Sequence, residues 1–214
     1  MKELSERLRQ QMAFLLEIDK EKFITRQTFL SDGKRRENDA EHAWHLAMMV
    51  LILGEYANEK IDLLRTVSMV LAHDLVEIYA GDTFAYDEEG KKTQRQREEV
   101  AADRLFALLP EDQRDALRGL WEEFEAAKTP EAAFARAMDN LQPTMLNAAT
   151  DGIAWTEHRT KLSSVLKRQE LTPVGSKTLW ELCRDQYLVP AVERGKIADD
   201  LAPEEKPVDW PQSE

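Results

Sequence analysis

The sequence predicts an all-α protein built as a single helical bundle, and three observations carry that prediction. Apolar residues recur at helical spacing, as in Leu4, Leu8, Met12, Leu15 and Leu16. Helix-start signals repeat along the chain, most clearly Thr129-Pro130-Glu131, which reads as an N-cap, a proline and an acid. No segment shows the apolar–polar alternation of a half-buried strand.

The elements follow in order. The first helix ends near Lys22, and the polar stretch 25–38, with Gly33, reads as a long loop. Asp39 is the expected N-cap of a second helix reaching Ala57, with Ala43, Leu46, Ala47, Val50 and Leu53 as its apolar members. Leu63 to Val76 is apolar on nearly all sides, which predicts a central third helix. Gly81 and Asp82 break the pattern, and 82–93 reads as a polar loop. A mixed-charge helix follows from about Thr93 to Leu109, and Pro110 opens the next. The helix after Thr129 shows Phe134, Met138, Leu141 and Met145 on one face, and Pro143 should open its hydrogen-bond ladder at Asp139. A segment at 156–168 and a helix from about Val174 to Arg194 complete a body spanning 1–197. Residues 198–214 contain Pro203, Pro207 and Pro211 and read as an extended tail.

Composition narrows the function. The chain has 214 residues, 43% hydrophobic and 33% charged, with a net charge of -12. A surface this acidic repels a phosphate backbone, so a nucleic acid polymer is not an expected partner. A small anionic ligand is still allowed, because a local cation can invert the field. No apolar run approaches the roughly 20 residues of a membrane helix. The N-terminus has no signal-peptide core, and Cys183 is the single cysteine. Disulfide frameworks and cysteine-rich zinc sites are thereby excluded, and a reducing cytoplasm is the expected compartment.

The chemistry concentrates around few residues. His73-Asp74 closes the most apolar helix, where two ionisable groups are costly unless they bind something. Glu77 lies one turn on, and His42 sits on the preceding helix, an expected antiparallel neighbour. Imidazoles and carboxylates on facing helices suit a divalent first-row metal. Spacing alone leaves open a hydrogen-bonded core pair instead. Asp139 is singled out as a fourth ligand only by its place on an apolar helix face beside Pro143. Among the remaining histidines, His45 reads as a non-ligand and His158 as solvated, and Cys183 reads as a small core residue. Arg26, Arg35 and Arg36 precede the His42 helix and read either as phosphate clamps or as a solvated basic patch.

The order His42, His73-Asp74, Asp139 resembles the H…HD…D signature of the HD-domain metal phosphohydrolases. The segments ENDAEHAWHLAMM, LAHDLVEIYAGD, REEVAADRLFALLPEDQRDALRGLWEEFE and FARAMDNLQPTM are similar to the 5′-deoxynucleotidase branch of that family, over about residues 10–150. The resemblance implies an all-α HD fold with one divalent metal ion (cobalt, manganese, zinc, iron, nickel or magnesium) on His42, His73, Asp74 and Asp139. It implies Glu77 as the acid that orients or deprotonates the attacking water and Arg26 as the phosphate-orienting arginine. Asp82 and Thr83 would contact substrate. The implied reaction is hydrolysis of deoxynucleoside 5′-monophosphates by a homodimer. Gln27 follows Arg26 where family members often carry an aromatic residue implicated in rejecting the ribose 2′-OH, and Phe29 is the nearest aromatic here. Another phosphate ester (a ribonucleotide, a deoxynucleoside triphosphate or an alarmone) and a non-catalytic helical module with a vestigial metal site are the alternatives.

Overall fold

In a computed structural model of the chain, residues 5–82 and 88–211 are described, apart from the side chains of residues 88, 89 and 91. Helix α1, Glu6–Glu17, starts at the Ser5 cap and runs into a tight turn at Ile18–Phe23. The expected loop at 25–38 is instead an antiparallel hairpin, β1 Thr25–Phe29 and β2 Arg36–Asn38. Its composition hides it, because its strands are short and polar. Arg36 holds it from the side by donating to the Gln27 carbonyl and side-chain oxygens, each at 2.6 Å.

Helix α2, Asp39–Leu53, is capped by Asn38 rather than by the expected Asp39. Asn38 Oδ1 accepts from the Glu41 N–H at 2.9 Å, and Glu41 returns the bond to the Asn38 N–H at 3.0 Å. Helix α3, Leu63–Ala72, stops short of the expected Val76. His73 and Asp74 therefore lie in the turn after it, before the single turn of α4, Glu77–Ala80. Gly81, at φ +76°, ends α4 in the left-handed region that favours glycine.

Helices α5, Glu88–Phe106, and α6, Glu111–Ala126, pack one wall, and Trp121 and Phe124 of α6 are fully buried. The expected start of α7, Pro130–Ala149, is confirmed: Thr129 caps it and Pro130 takes its first position. Pro143 does not interrupt α7. Side chains bridge the neighbouring turn, with the Thr144 hydroxyl donating to the Asn140 carbonyl at 3.0 Å and Gln169 Nε2 at 3.1 Å. Short helices complete the body: α8 Ile153–Glu157, α9 Leu162–Gln169, α10 Thr172–Gly175, α11 Lys177–Cys183 and α12 Val189–Glu193. The single helix expected over 174–194 is thus broken, at Ser176 and again where one wider turn, Arg184–Leu188, separates α11 from α12.

Among the described residues the fold is all-α apart from the hairpin and one isolated bridge between Lys161 and Ala198. The larger core cluster gathers Leu46, Val50, Met69, Val70, Phe134, Met138, Leu179 and Leu188 around α7. Residues 198–211 carry one turn at Pro203–Glu205 and return Trp210 to that core, while Asp209 accepts from Trp180 Nε1 at 3.1 Å.

Candidate metal centre

Three stretches of chain converge on one buried point. The capping box fixes the first turn of α2 and so places His42, which is fully buried. The end of α3 delivers His73 and Asp74, and the middle of α7 delivers Asp139. One ligand atom from each of His42, His73 and Asp139 lies within 4.8 Å of the others. His42 Nε2 is 3.1 Å and His73 Nε2 3.8 Å from Asp139 Oδ1. Asp74 Oδ2 lies 3.0 Å from His73 Nε2 and 4.0 Å from His42 Nε2.

The far side of each ring decides what the near side can do. His73 Nδ1 can only donate to the Val70 carbonyl, 2.8 Å away. Gln142 Nε2 donates to Glu37 at 2.8 Å and to His45 Nδ1 at 3.2 Å, so its amide oxygen accepts from His42 Nδ1 at 3.0 Å. A neutral His42 then turns a lone pair toward a carboxylate oxygen, an arrangement that a shared cation satisfies. His73 Nε2 makes no hydrogen bond despite its carboxylate neighbours. Ligand bonds of about 2.0–2.2 Å place donors about 3–3.5 Å apart, close to the spacing here. The donor set fits one divalent metal ion.

The surroundings are rich in acid. Arg26, on β1, donates to Asp74 Oδ2 at 2.8 Å and Asp39 Oδ1 at 3.2 Å, and its Nε lies 3.6 Å from Glu37. Burial opposes its charge, but Asp74 and Asp39 outweigh burial and raise its pKa. Burial, with Asp74 nearby, pushes Asp39 up to about 8 against the pull of Arg26. Burial likewise lifts Glu37 to about 7. Glu77 is raised well above the carboxylate range by burial and by Asp74 and Asp39, and its Oε2 has no hydrogen-bond partner. Asp139 goes the other way: Arg168, His42 and His73 overcome its burial.

His42, His73 and Asp139 therefore come together, Asp74 borders them, and Arg26, Glu77 and Asp82 line the same pocket. Thr83 lies outside the described residues. Arg35 is turned to Glu41 and Arg36 to Gln27 and Glu157, away from the centre. His158 contacts Gln27, and Cys183 is core, its thiol pushed up to about 12 by burial. Sequence reasoning missed Gln142, Glu37 and Arg168. Gln142 had a signal, three residues beyond Asp139 on the same helix face. Arg168, which donates to Asp139 Oδ2 at 2.7 Å, had none within its charged stretch.

Comparison with known proteins agrees with this geometry. Human 5′-deoxynucleotidase HDDC2 is 32% identical over 109 residues, covering 51% of this chain and 52% of that protein. The bovine protein of the same name is 33% identical over 110 residues, with 51% and 52% covered. The chain thus spans about half the length of these curated relatives. A crystal structure of a predicted metal-dependent phosphohydrolase from Magnetospirillum magnetotacticum superposes with a TM-score of 0.85 at 47% identity, covering 90% of this chain and 96% of that one. A conserved hypothetical protein from Pyrococcus furiosus, 21% identical with a TM-score of 0.56 over 86% of this chain and 97% of that one, shares the fold. The HD domain model matches residues 18–180. With that match spanning the elements that supply His42, His73, Asp74 and Asp139, the chain belongs to the HD domain family.

Proposed function

We propose that this protein is a metal-dependent phosphomonoesterase that hydrolyses deoxynucleoside 5′-monophosphates to deoxynucleoside and phosphate. The observation that carries the reading is the pair of tethered imidazoles whose Nε2 atoms face Asp139, with Glu77 buried in the same pocket and its Oε2 without a hydrogen-bond partner among the described residues. The named relatives support the substrate class.

In this reading His42, His73, Asp74 and Asp139 hold the ion. A divalent cation there supplies a Lewis acid that makes water more acidic and offsets phosphoryl charge. Glu77 takes a proton from the attacking water. Burial, with Asp74 and Asp39 nearby, raises its pKa and so strengthens it as a proton acceptor. Arg26 orients the phosphate, while Asp82 and Thr83 contact substrate. The metal's identity is settled by assaying cobalt, manganese, zinc, iron, nickel and magnesium in turn.

The test is phosphate release from deoxynucleoside and ribonucleoside monophosphates, deoxynucleoside triphosphates and alarmones with each metal. Deoxynucleoside monophosphates should be the preferred substrates. Glu77→Gln should lower kcat by at least 100-fold while elemental analysis finds the metal still bound. Undiminished turnover in that variant removes Glu77 from the mechanism, and no release from any deoxynucleoside monophosphate removes the function.

The same reading includes a cytoplasmic homodimer. Helix α2 buries Ala43, Leu46, Ala47 and Val50, yet leaves Trp44, Met48, Leu51 and Ile52 exposed at i, i+4, i+7 and i+8 spacing. A self-complementary contact along this stripe would cover it. Light scattering and cell fractionation test the two statements.

A further inference from the structure

The pocket holds more than one arginine, and they are not equally committed. Arg26 already serves Asp74, Asp39 and Glu37. Arg136 is stacked on Phe124, 4.0 Å from its ring centre, and donates to the Phe124 carbonyl and to Glu125. Arg168, from α9, is different. One of its nitrogens donates to Asp139 Oδ2 at 2.7 Å, while its side chain is 31% exposed and lines the pocket. Asp139 is thus divided: Oδ1 faces His42 and His73, while Oδ2 accepts from Arg168, with an Arg136 nitrogen 3.9 Å away.

Charge shows what Arg168 is needed for. A phosphate monoester brings close to two negative charges into this pocket. A divalent ion there is already faced by Asp74 and Asp139, and the Arg26 charge is shared among carboxylates. An arginine fork can hold a carboxylate with one edge and present further N–H groups to a phosphate oxygen.

We propose that Arg168 is a substrate-binding residue: it fixes Asp139 with one nitrogen and binds the phosphate with the others. The identity of the anion as a substrate phosphate rests on the proposed phosphomonoesterase function. Arg168 lies within the 18–180 match to the HD domain but outside the four segments that carry the motif resemblance.

The test uses the metal-loaded full chain with inorganic phosphate as the probe, titrated by calorimetry, and metal content measured on the same samples. Arg168→Gln should weaken phosphate binding at least tenfold, with metal content unchanged. Arg168→Lys keeps the charge without the fork and should fall between. In turnover, KM for the substrate and the inhibition constant of phosphate should rise together. Unchanged phosphate affinity in both variants overturns the proposal. So does loss of metal in step with loss of phosphate, which would leave Arg168 as a support for Asp139 alone. Should Arg168→Gln fail to fold, unchanged phosphate affinity in Arg168→Lys is enough to overturn it. If phosphate binding depends on Arg168 but no nucleotide is hydrolysed, the inference stands and the phosphomonoesterase reading falls. If nucleotides are hydrolysed and phosphate ignores Arg168, the reverse holds.

Discussion

His42 and His73 lie with ring centres 5.6 Å apart, yet their surroundings pull them in opposite directions. Burial and the Arg26 guanidinium depress His42 to about 4, so it is neutral at pH 7. Burial also disfavours a charged His73, but Asp74 and Asp139 overcome it and raise that ring to about 10. A metal must displace the His73 proton and finds none on His42. Metal uptake near pH 7 should therefore release at least one proton, that of His73, measurable by calorimetry in buffers of different ionisation enthalpy. Affinity should rise with pH across the neutral range. Release of no proton contradicts this assignment. Gln142→Leu removes the His42 tether and should weaken metal binding about 10- to 100-fold. At this scale the sequence was most legible where chemistry is concentrated. His73-Asp74 in an apolar helix stood out because burying two ionisable groups needs a reason. Gln142 and Arg168 were hidden because an amide and an arginine are common in polar stretches and acquire meaning only from what they touch.

At the scale of elements, the helices with a clear start signal and a sustained apolar face were legible, α7 above all. The hairpin was not, because its two strands show no apolar alternation and are held mainly by Arg36 and the start of α2. Nor was the break after Ala72, where apolar residues continue on both sides and hide the turn that presents His73. The α2 start is held by the Asn38–Glu41 capping box, so Asn38→Ala should cost about 1 kcal/mol in denaturant unfolding. Because that box also sets the first turn carrying His42, metal affinity should fall with it. A close approach holds α10 to α7: a Cβ on Gly175 would lie 2.2 Å from the Ala133 carbonyl oxygen. Gly175→Ala should therefore lower the melting temperature, while Gly119→Ala, where a Cβ meets nothing within 4 Å, should not. Equal melting temperatures for the two variants would show that α10 yields at no cost.

At the scale of the molecule, α2 is apolar on two sides. Its buried side carries His42 into the metal centre, and its other side leaves Trp44 64% and Leu51 54% exposed. If the proposed dimer uses this face, Leu51→Asp should shift it to monomer in light scattering without unfolding it. A dimer that survives that change places the interface elsewhere. The negative charge, an argument against a nucleic acid polymer as partner, is partly local, since Asp74, Glu77, Asp82 and Asp139 share one pocket. A helix that is rigidified from either side also links the two events that rigidify it. Thermodynamic reciprocity then requires that, if loading the metal tightens subunit association, association tightens metal binding by the same factor. Metal titrations at protein concentrations above and below the dimer's dissociation constant should give different affinities. Dilution would then act as a chelator does, drawing the ion out of a site that no reagent has touched.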